Sequence, residues 1–546
     1  MPLPARATTR FRRCGPAALA LVLALGPGSA PWEAAAQTTP RHLQDALVPA
    51  GRLRLGFAPS FASWDSRWGR TTVDGAVRDA DEPLGADLTD ATGRTLFPGI
   101  ADLQAQLDDL TSGGGHEAVL GSVSGLVTKN VTRLDFSAHV GVFDWLTVGA
   151  TLPWIKTRTA VESAFRTVDG SNLGLNPLID DNAAVSAWLA GVDAARAAAE
   201  GRAASLCGSD PGEGCSAARA LADRAGRFAA AGRRAYFASA FFLVAGSDAA
   251  QAVSDAATAL SGDLTDAGLP GVGTPLFAPV GLDEAGFYDL PENGGAGIGT
   301  TPLGTVDGLW AAGDIEVTAS ARILAGEVRD SGAALPRLAW RLVGGGLVRL
   351  GTGIRDDPDV LLDLGTGDGQ TDVESFVDAA LQIGSRLGLR GGLRYGVQRP
   401  VTMLRRVAPH ERIFAPVALT RAVEWSPGSY LDLVVSPRFH LDETLSLSAD
   451  YRLFDKAADE YTLAFPAADG TDPDPTVLAA ETAMTVGELG VGLRYSTLAG
   501  WRTGRVSPPV EISARLVLPL HGAGGQTPRA TRADVSIRLY RALWGR

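Results

Sequence analysis

The sequence predicts an all-β fold, a transmembrane antiparallel β-barrel of about twelve strands carrying an Ala-rich helical insertion in one external loop. Three observations predict it. Apolar and polar residues alternate with a period of two in segment after segment, as in Gly313-Asp-Ile-Glu-Val-Thr-Ala-Ser-Ala-Arg-Ile-Leu324. The polar row of nearly every such segment carries an arginine or a carboxylate. The connections alternate between short and long, the pattern of a barrel with short periplasmic turns and long outer loops.

The N-terminus reads as an export signal. Arg10, Arg12 and Arg13 precede an apolar run, Ala17 to Leu25, and Ala34-Ala35-Ala36 supply a cleavage site before Gln37. Residues 1–36 are thus the expected signal peptide and 37–546 the mature barrel. The apolar run falls short of the roughly 20 residues that a spanning helix needs. Later runs are also too short, the best being Ala235 to Gly246. Without residues 1–36 the chain keeps 45 basic and 60 acidic side chains, a net −15. That balance argues against nucleic acid as a partner.

The strand series opens with Leu53/Leu55/Phe57 against Arg52/Arg54. Leu134 to Val142 alternates with Arg133, Asp135 and His139, and a Phe143-Asp144-Trp145 turn leads to Leu146, Val148, Ala150, Leu152 and Trp154. The fourth strand is the quoted segment, with Asp314, Glu316, Ser320 and Arg322 on its polar row. Next come Leu338/Trp340/Leu342 with Arg341, Val377 to Ile383 with Asp378, Gln382 and Arg386, and Leu393/Tyr395/Val397 with Arg394. Leu431 to Phe439 pairs with Asp432 and Arg438, and Leu445 to Leu453 with Asp450 and Arg452. The last three are Leu489 to Tyr495 with Glu488 and Arg494, Val510 to Leu518 with Glu511 and Arg515, and Ala533 to Leu539 with Asp534 and Arg538. In hydrocarbon a sheet edge has no hydrogen-bonding partner, so the strands must close, with the apolar row toward lipid and the charged row toward a lumen. The short connections are 143–145, 326–336, 387–391, 442–444 and 497–508. A soluble sandwich is the competing reading, since it too pairs one apolar with one polar face.

Between the third and fourth strands lies the longest loop, 165–312, whose segment 183–262 is Ala-rich and reads as helices. Cys207 and Cys215 flank a Pro/Gly turn and are expected to form a disulfide joining the first two helices. The flanking segment 263–312 is a candidate inward-folding constriction. The acidic stretches Asp363–Glu374 and Asp469–Pro475 offer oxygen ligands for calcium but not the EF-hand spacing, and read as solvated turns. Trp145, Trp154, Trp340, Tyr395, Tyr430, Tyr451, Tyr495 and Trp544 are expected as an interfacial ring. The last residues, ending on Arg546 rather than an aromatic, depart from the usual barrel terminus.

The motifs Asp144–Trp154 (DWLTVGATLPW), Gly313–Leu324, Arg349–Gly353 (RLGTG) and Asp363–Val373 (DLGTGDGQTDV) resemble, in order, those of the outer-membrane family assigned to the MetA pathway of phenol degradation. Gly351 stands where that family has proline, and the 183–262 insertion is outside its pattern. The resemblance implies an outer-membrane barrel that passes or senses small, often hydrophobic compounds, and it brings no catalytic residues.

The expected function is a channel or transporter for small solutes, hydrophobic or aromatic compounds among them, in the outer membrane of a diderm bacterium. Its partners would be outer-membrane lipid, the barrel insertion machinery and the solute. The alternatives are a non-conducting barrel that displays the helical insertion for surface binding, and an outer-membrane hydrolase. Nothing in the spacing joins His139 to Ser320, His440 with Asp442 is a two-residue coincidence, and no histidine pair shows metal-ligand spacing. No enzyme, cofactor or metal is therefore expected.

Overall fold

The computed structural model describes residues 46–544 except 74–75, 112–114, 210–211, 293–294, 329–337, 503–504 and 506–507. The expected signal peptide, the 326–336 turn from residue 329 on and Arg337 lie outside the described residues.

Twelve antiparallel strands close a barrel. They are β1 (Arg52–Trp64), β2 (Ser122–Phe143), β3 (Leu146–Arg166), β4 (Ile315–Val328), β5 (Leu338–Leu350) and β6 (Asp372–Ile383). The series continues with β7 (Leu387–Gln398), β8 (Tyr430–His440), β9 (Leu445–Lys456), β10 (Met484–Ser496), β11 (Val510–Ala523) and β12 (Thr531–Ala542). Each strand pairs with its neighbours in sequence. The ring closes where β1 pairs with β12, and β4 joins β3 through Glu316↔Thr151 to Ala321↔Leu146. No open edge is left along the shared height of the wall, which answers the requirement that backbone groups in hydrocarbon be paired. The sandwich reading is thereby set aside.

The period-two rows fall as expected. Leu55, Phe136, Val148, Leu152, Val317, Leu393, Leu447, Val491, Leu516 and Leu539 project outward and are exposed, while Arg54, Arg133, Glu316, Arg452 and Arg515 project inward and are buried. This is a soluble core turned inside out, the arrangement a lipid solvent selects. Of the aromatic residues expected in the ring, Trp145, Trp154, Trp340, Tyr395, Tyr451, Tyr495 and Trp544 are exposed on the outside. Tyr430 is not among them: it points inward, and its hydroxyl donates to Glu374 at 3.1 Å.

One turn is displaced from its expected place. Residues 387–391 are expected as a short connection, yet they are strand, and the chain reverses at 384–386. Gly384 there has φ +62°, the left-handed conformation that glycine tolerates. Gly391 and Gly392 instead sit in an ordinary ladder opposite Ala379 and Asp378.

Strands β2 and β3 run 22 and 21 residues, far longer than the other ten. A strand of that length reaches about 70 Å, so the hairpin rises well beyond the wall at the end that carries the long loops. A helical cap packs on it. Helix α1 (Gly99–Leu110) buries Ile100, Leu103, Leu107 and Leu110 at helical spacing. Helices α2 (Asn182–Ser209), α3 (Glu213–Ala238) and α4 (Asp248–Asp266) form the Ala-rich insertion. The Cys207–Cys215 disulfide joins the end of α2 to the start of α3, with Cα atoms 4.8 Å apart. Short side chains let these helices lie close, and the aromatics fill what remains: Trp188 meets Tyr236 with ring centroids 5.4 Å apart and donates to the Gly273 carbonyl at 2.8 Å. The apolar run at 235–246 is apolar all round because its centre, Phe241–Leu243, is a buried strand of this cap. A chain of rings, Phe165–Phe287–Phe414–Phe97–Phe241, ties the top of β3 to four other segments of the cap. Among the described residues no helix is long and apolar enough to cross a membrane.

Candidate functional site: the lumen and its two closures

The lumen wall is a network of ion pairs. On one side Arg133 of β2 holds Asp135 at 2.6 Å and Glu316 of β4 at 3.8 Å, and Glu316 is also 3.5 Å from Arg349 of β5. Arg349 continues to Asp372 of β6, and Arg394 of β7 holds Glu374 at 2.9 Å and Asp378 at 4.0 Å. On the other side Arg452 of β9 bridges Asp432 at 2.9 Å and Glu488 at 3.1 Å. Arg532 reaches Glu488 at 3.5 Å and Asp534 at 3.2 Å, while Arg515 reaches Asp534 at 2.8 Å and Asp450 at 3.5 Å. Glu511 collects Arg494, Arg538 at 3.7 Å and the Tyr540 hydroxyl at 2.6 Å.

These pairs join strands that are neighbours or next neighbours around the wall. They therefore neutralise the wall along its circumference, with charged groups so covered that Glu316 and Asp372 are 0% exposed. Burial at this level is affordable only because each charge meets opposite charges and hydrogen bonds.

Of the residues expected on the lumen row, Arg133, Asp135, His139, Glu316, Arg394, Arg438, Asp450, Arg452, Glu488, Glu511, Arg515, Asp534 and Arg538 are strand residues that are buried inward. Arg322, Arg341, Asp378, Asp432 and Arg494 are half-buried. Asp314 is buried but precedes β4, at the long-loop mouth. Arg386 departs from expectation: it lies in the turn after β6 and is exposed, because that turn forms at Gly384. The sequence pattern missed Arg349, Asp372, Glu374 and Arg532. Extending the alternation of β5 upward and of β6 and β12 to their true starts brings all four into phase.

At the short-turn end the residues before β1 fold back into the barrel. The Val48 amide donates to Thr147 Oγ1 at 2.8 Å, the Gly51 amide donates to the Gly141 carbonyl at 2.8 Å, and Val48 is 1% exposed. Two residues earlier, Ala46 lines a cavity together with Arg341, Asp378, Gly391 and Ser436 of β5 to β8, on the far wall. Three residues span at most about 10 Å, so at this height the strap crosses the lumen. The cavity beside it is about 20 Å³, room for a single water.

At the long-loop end the segment 351–371 folds inward. It crosses to the inner face of β3, where Thr157 and Thr159 donate to the carbonyls of Leu364 and Leu362, each at 2.8 Å. Asp314 fastens it, accepting from the amides of Gly353 at 2.7 Å and Asp368 at 3.3 Å. The segment that folds inward is thus 351–371, in addition to whatever 263–312 contributes to the cap. Burial pushes the Asp368 carboxyl up to about 7, with the Asp372 charge adding to it, and Asp314 up to about 6 for the same cause and its proximity to Asp368. The acidic stretch read as a solvated turn is thus a buried latch.

No family model matches the chain, and no curated protein matches it. Among solved structures, an outer membrane channel from Pseudomonas putida F1 is 10% identical, with 91% of this chain and 100% of that one covered and a TM-score of 0.39. The translocator domain of the autotransporter NalP from Neisseria meningitidis is 8% identical over 91% and 90% of the two chains, TM-score 0.27. A deletion mutant of the TodX monoaromatic hydrocarbon channel is 8% identical over 92% and 94%, TM-score 0.27. Similarity this low carries no argument about family or function.

Proposed function

We propose that this protein is an outer-membrane channel for small solutes in a diderm bacterium, held narrow by a strap at the periplasmic end and a latched loop at the outer end. The observation that carries the reading is the pairing of a closed barrel, apolar outside, with an inner wall of charges of both signs. Charged side chains lining a lumen can hold water and tune which solutes pass. Charges of both signs, paired along the circumference, favour neither cations nor anions strongly. Hydrophobic or aromatic solutes, which the motif resemblance implies, belong to the same proposal. Delivery by the signal peptide and insertion by the barrel machinery complete it.

The test is solute uptake into proteoliposomes, with small sugars and small aromatic compounds compared. Swelling with at least one class, above that of protein-free vesicles, is expected. Impermeability to both, with the strap and the loop latch each removed in turn, would count against a channel.

One observation favours a second reading, a closed barrel that displays its cap: the cap has its own extensive core and the charged wall is deeply buried. In that case removing 183–262 would abolish surface binding and leave permeability unchanged.

A further inference from the structure

Three side chains from two of the long loops meet. His410 and Glu411 lie in the connection between β7 and β8, and Glu481 in the connection between β9 and β10. One ligand atom from each lies within 4.8 Å of the other two. His410 Nε2 is 3.6 Å from Glu411 Oε1 and 3.7 Å from Glu481 Oε2.

Both separations are too long for a hydrogen bond. A single ring N–H could in any case serve only one of the two carboxylates. Donor atoms around a tetrahedral zinc ion, each about 2.0–2.2 Å from it, stand roughly 3.3–3.5 Å from one another. The two His410 distances are therefore close to the spacing of ligands on one ion, with a carboxylate oxygen of each glutamate within 4.8 Å of the other.

The His410 Nδ1 atom, which carries the N–H when Nε2 is the ligand, is buried with no hydrogen-bond partner among the described residues. Glu481 has φ +61°, one of two non-glycine residues with positive φ among those described. Arg70 is 4.0 Å from the other carboxylate oxygen, Oε1, and half exposed.

We propose that His410, Glu411 and Glu481 bind a first-row divalent transition metal of the zinc type, clamping the two external loops together. One imidazole with two carboxylates suits such an ion. Calcium prefers six to eight oxygen ligands, and the imidazole of His410 is a poor member of such a set. Three protein ligands leave one position for water, which suits an exchangeable ion taken from the medium.

The experiment uses the untagged mature chain, folded in detergent and freed of metal with chelator. Zn²⁺ is titrated against a chromophoric competitor, and the melting temperature is followed with and without Zn²⁺. One saturable equivalent is expected, with affinity at least tenfold weaker in His410→Ala and in Glu481→Gln, and excess Ca²⁺ should not compete. Zn²⁺ should raise the melting temperature of the parent and of neither variant. Heat-modifiable migration shows that each variant has folded. Three results would overturn the proposal: no saturable binding by the parent, binding that survives both substitutions, or equal competition by Ca²⁺. A stability loss in His410→Ala that is the same with and without Zn²⁺ would mean an ion pair and would overturn it as well.

Discussion

Gly141→Ala should open the short-turn end of the lumen while leaving the barrel intact. Gly141 faces inward on β2, directly under the strap, and a Cβ there would sit 2.1 Å from the Pro49 carbonyl oxygen and 2.4 Å from that of Val48. Both neighbours are backbone, so the strap must lift. Lifting it breaks the Val48–Thr147 hydrogen bond of 2.8 Å and exposes a side chain now 1% accessible. A hydrogen bond is worth about 1 kcal/mol net and a buried valine roughly 1.5–2, so strap closure weakens by about 3 kcal/mol. That shifts the closed-to-open ratio roughly a hundredfold. The ladder between β2 and β3 uses backbone groups that the methyl does not touch. Single-channel recording in planar bilayers reads the effect as longer open times or larger steps than in the parent, with truncation of residues 37–48 giving the same phenotype. Unaltered conductance in a heat-modifiable Gly141→Ala barrel would refute the strap as a constriction.

The outer latch should respond to pH. The carboxyls of Asp368 and Asp314 are raised to about 7 and about 6 when the loop is closed, and return toward about 4 when it is released into water. The closed form therefore binds more protons between roughly pH 4 and 7, so closure is strongest at low pH and weakens as pH rises toward 7; open probability should increase from pH 5 to pH 8, and Asp368→Asn should flatten the dependence. Glu488→Gln removes the carboxylate shared by Arg452 at 3.1 Å and Arg532 at 3.5 Å. Breaking one side of a buried pair costs about 3–5 kcal/mol, which urea titration of the folded, heat-modifiable band would show. Trp188→Ala, at the centre of the cap beside Tyr236 and Phe228, should cost about 3–5 kcal/mol of cap stability. Proteolysis within 182–266 should accelerate, while the barrel itself resists as before.

All twelve strands could be read from their alternation, because a sheet with lipid on one side and charge on the other imposes a strict period of two. Their ends were harder to see. Strands β2 and β3 continue beyond the bilayer into the cap, and there Val123, Val127 and Phe165 are buried on a protein core, so the row pattern changes meaning. The helices of 182–266 and the Cys207–Cys215 bridge were legible from alanine content and spacing. The 384–386 turn was not, since the alternation of β6 was carried on to Arg386, which lies in the turn itself. The strap and the latch left no local signal at all. Ala46–Gly51 is too short for periodicity, and the latch depends on Asp314 and Asp368, which only closure of the barrel brings together. The same holds for His410, Glu411 and Glu481, whose meeting depends on loops more than sixty residues apart in sequence.

The most direct test of a solute-conducting lumen is single-channel recording on purified, heat-modifiable parent protein beside the form lacking residues 37–48. Discrete current steps are expected, rare or small in the parent and frequent in the truncated form. Silence from both, with folding verified, would contradict a channel and leave the helical cap as the working part of the molecule.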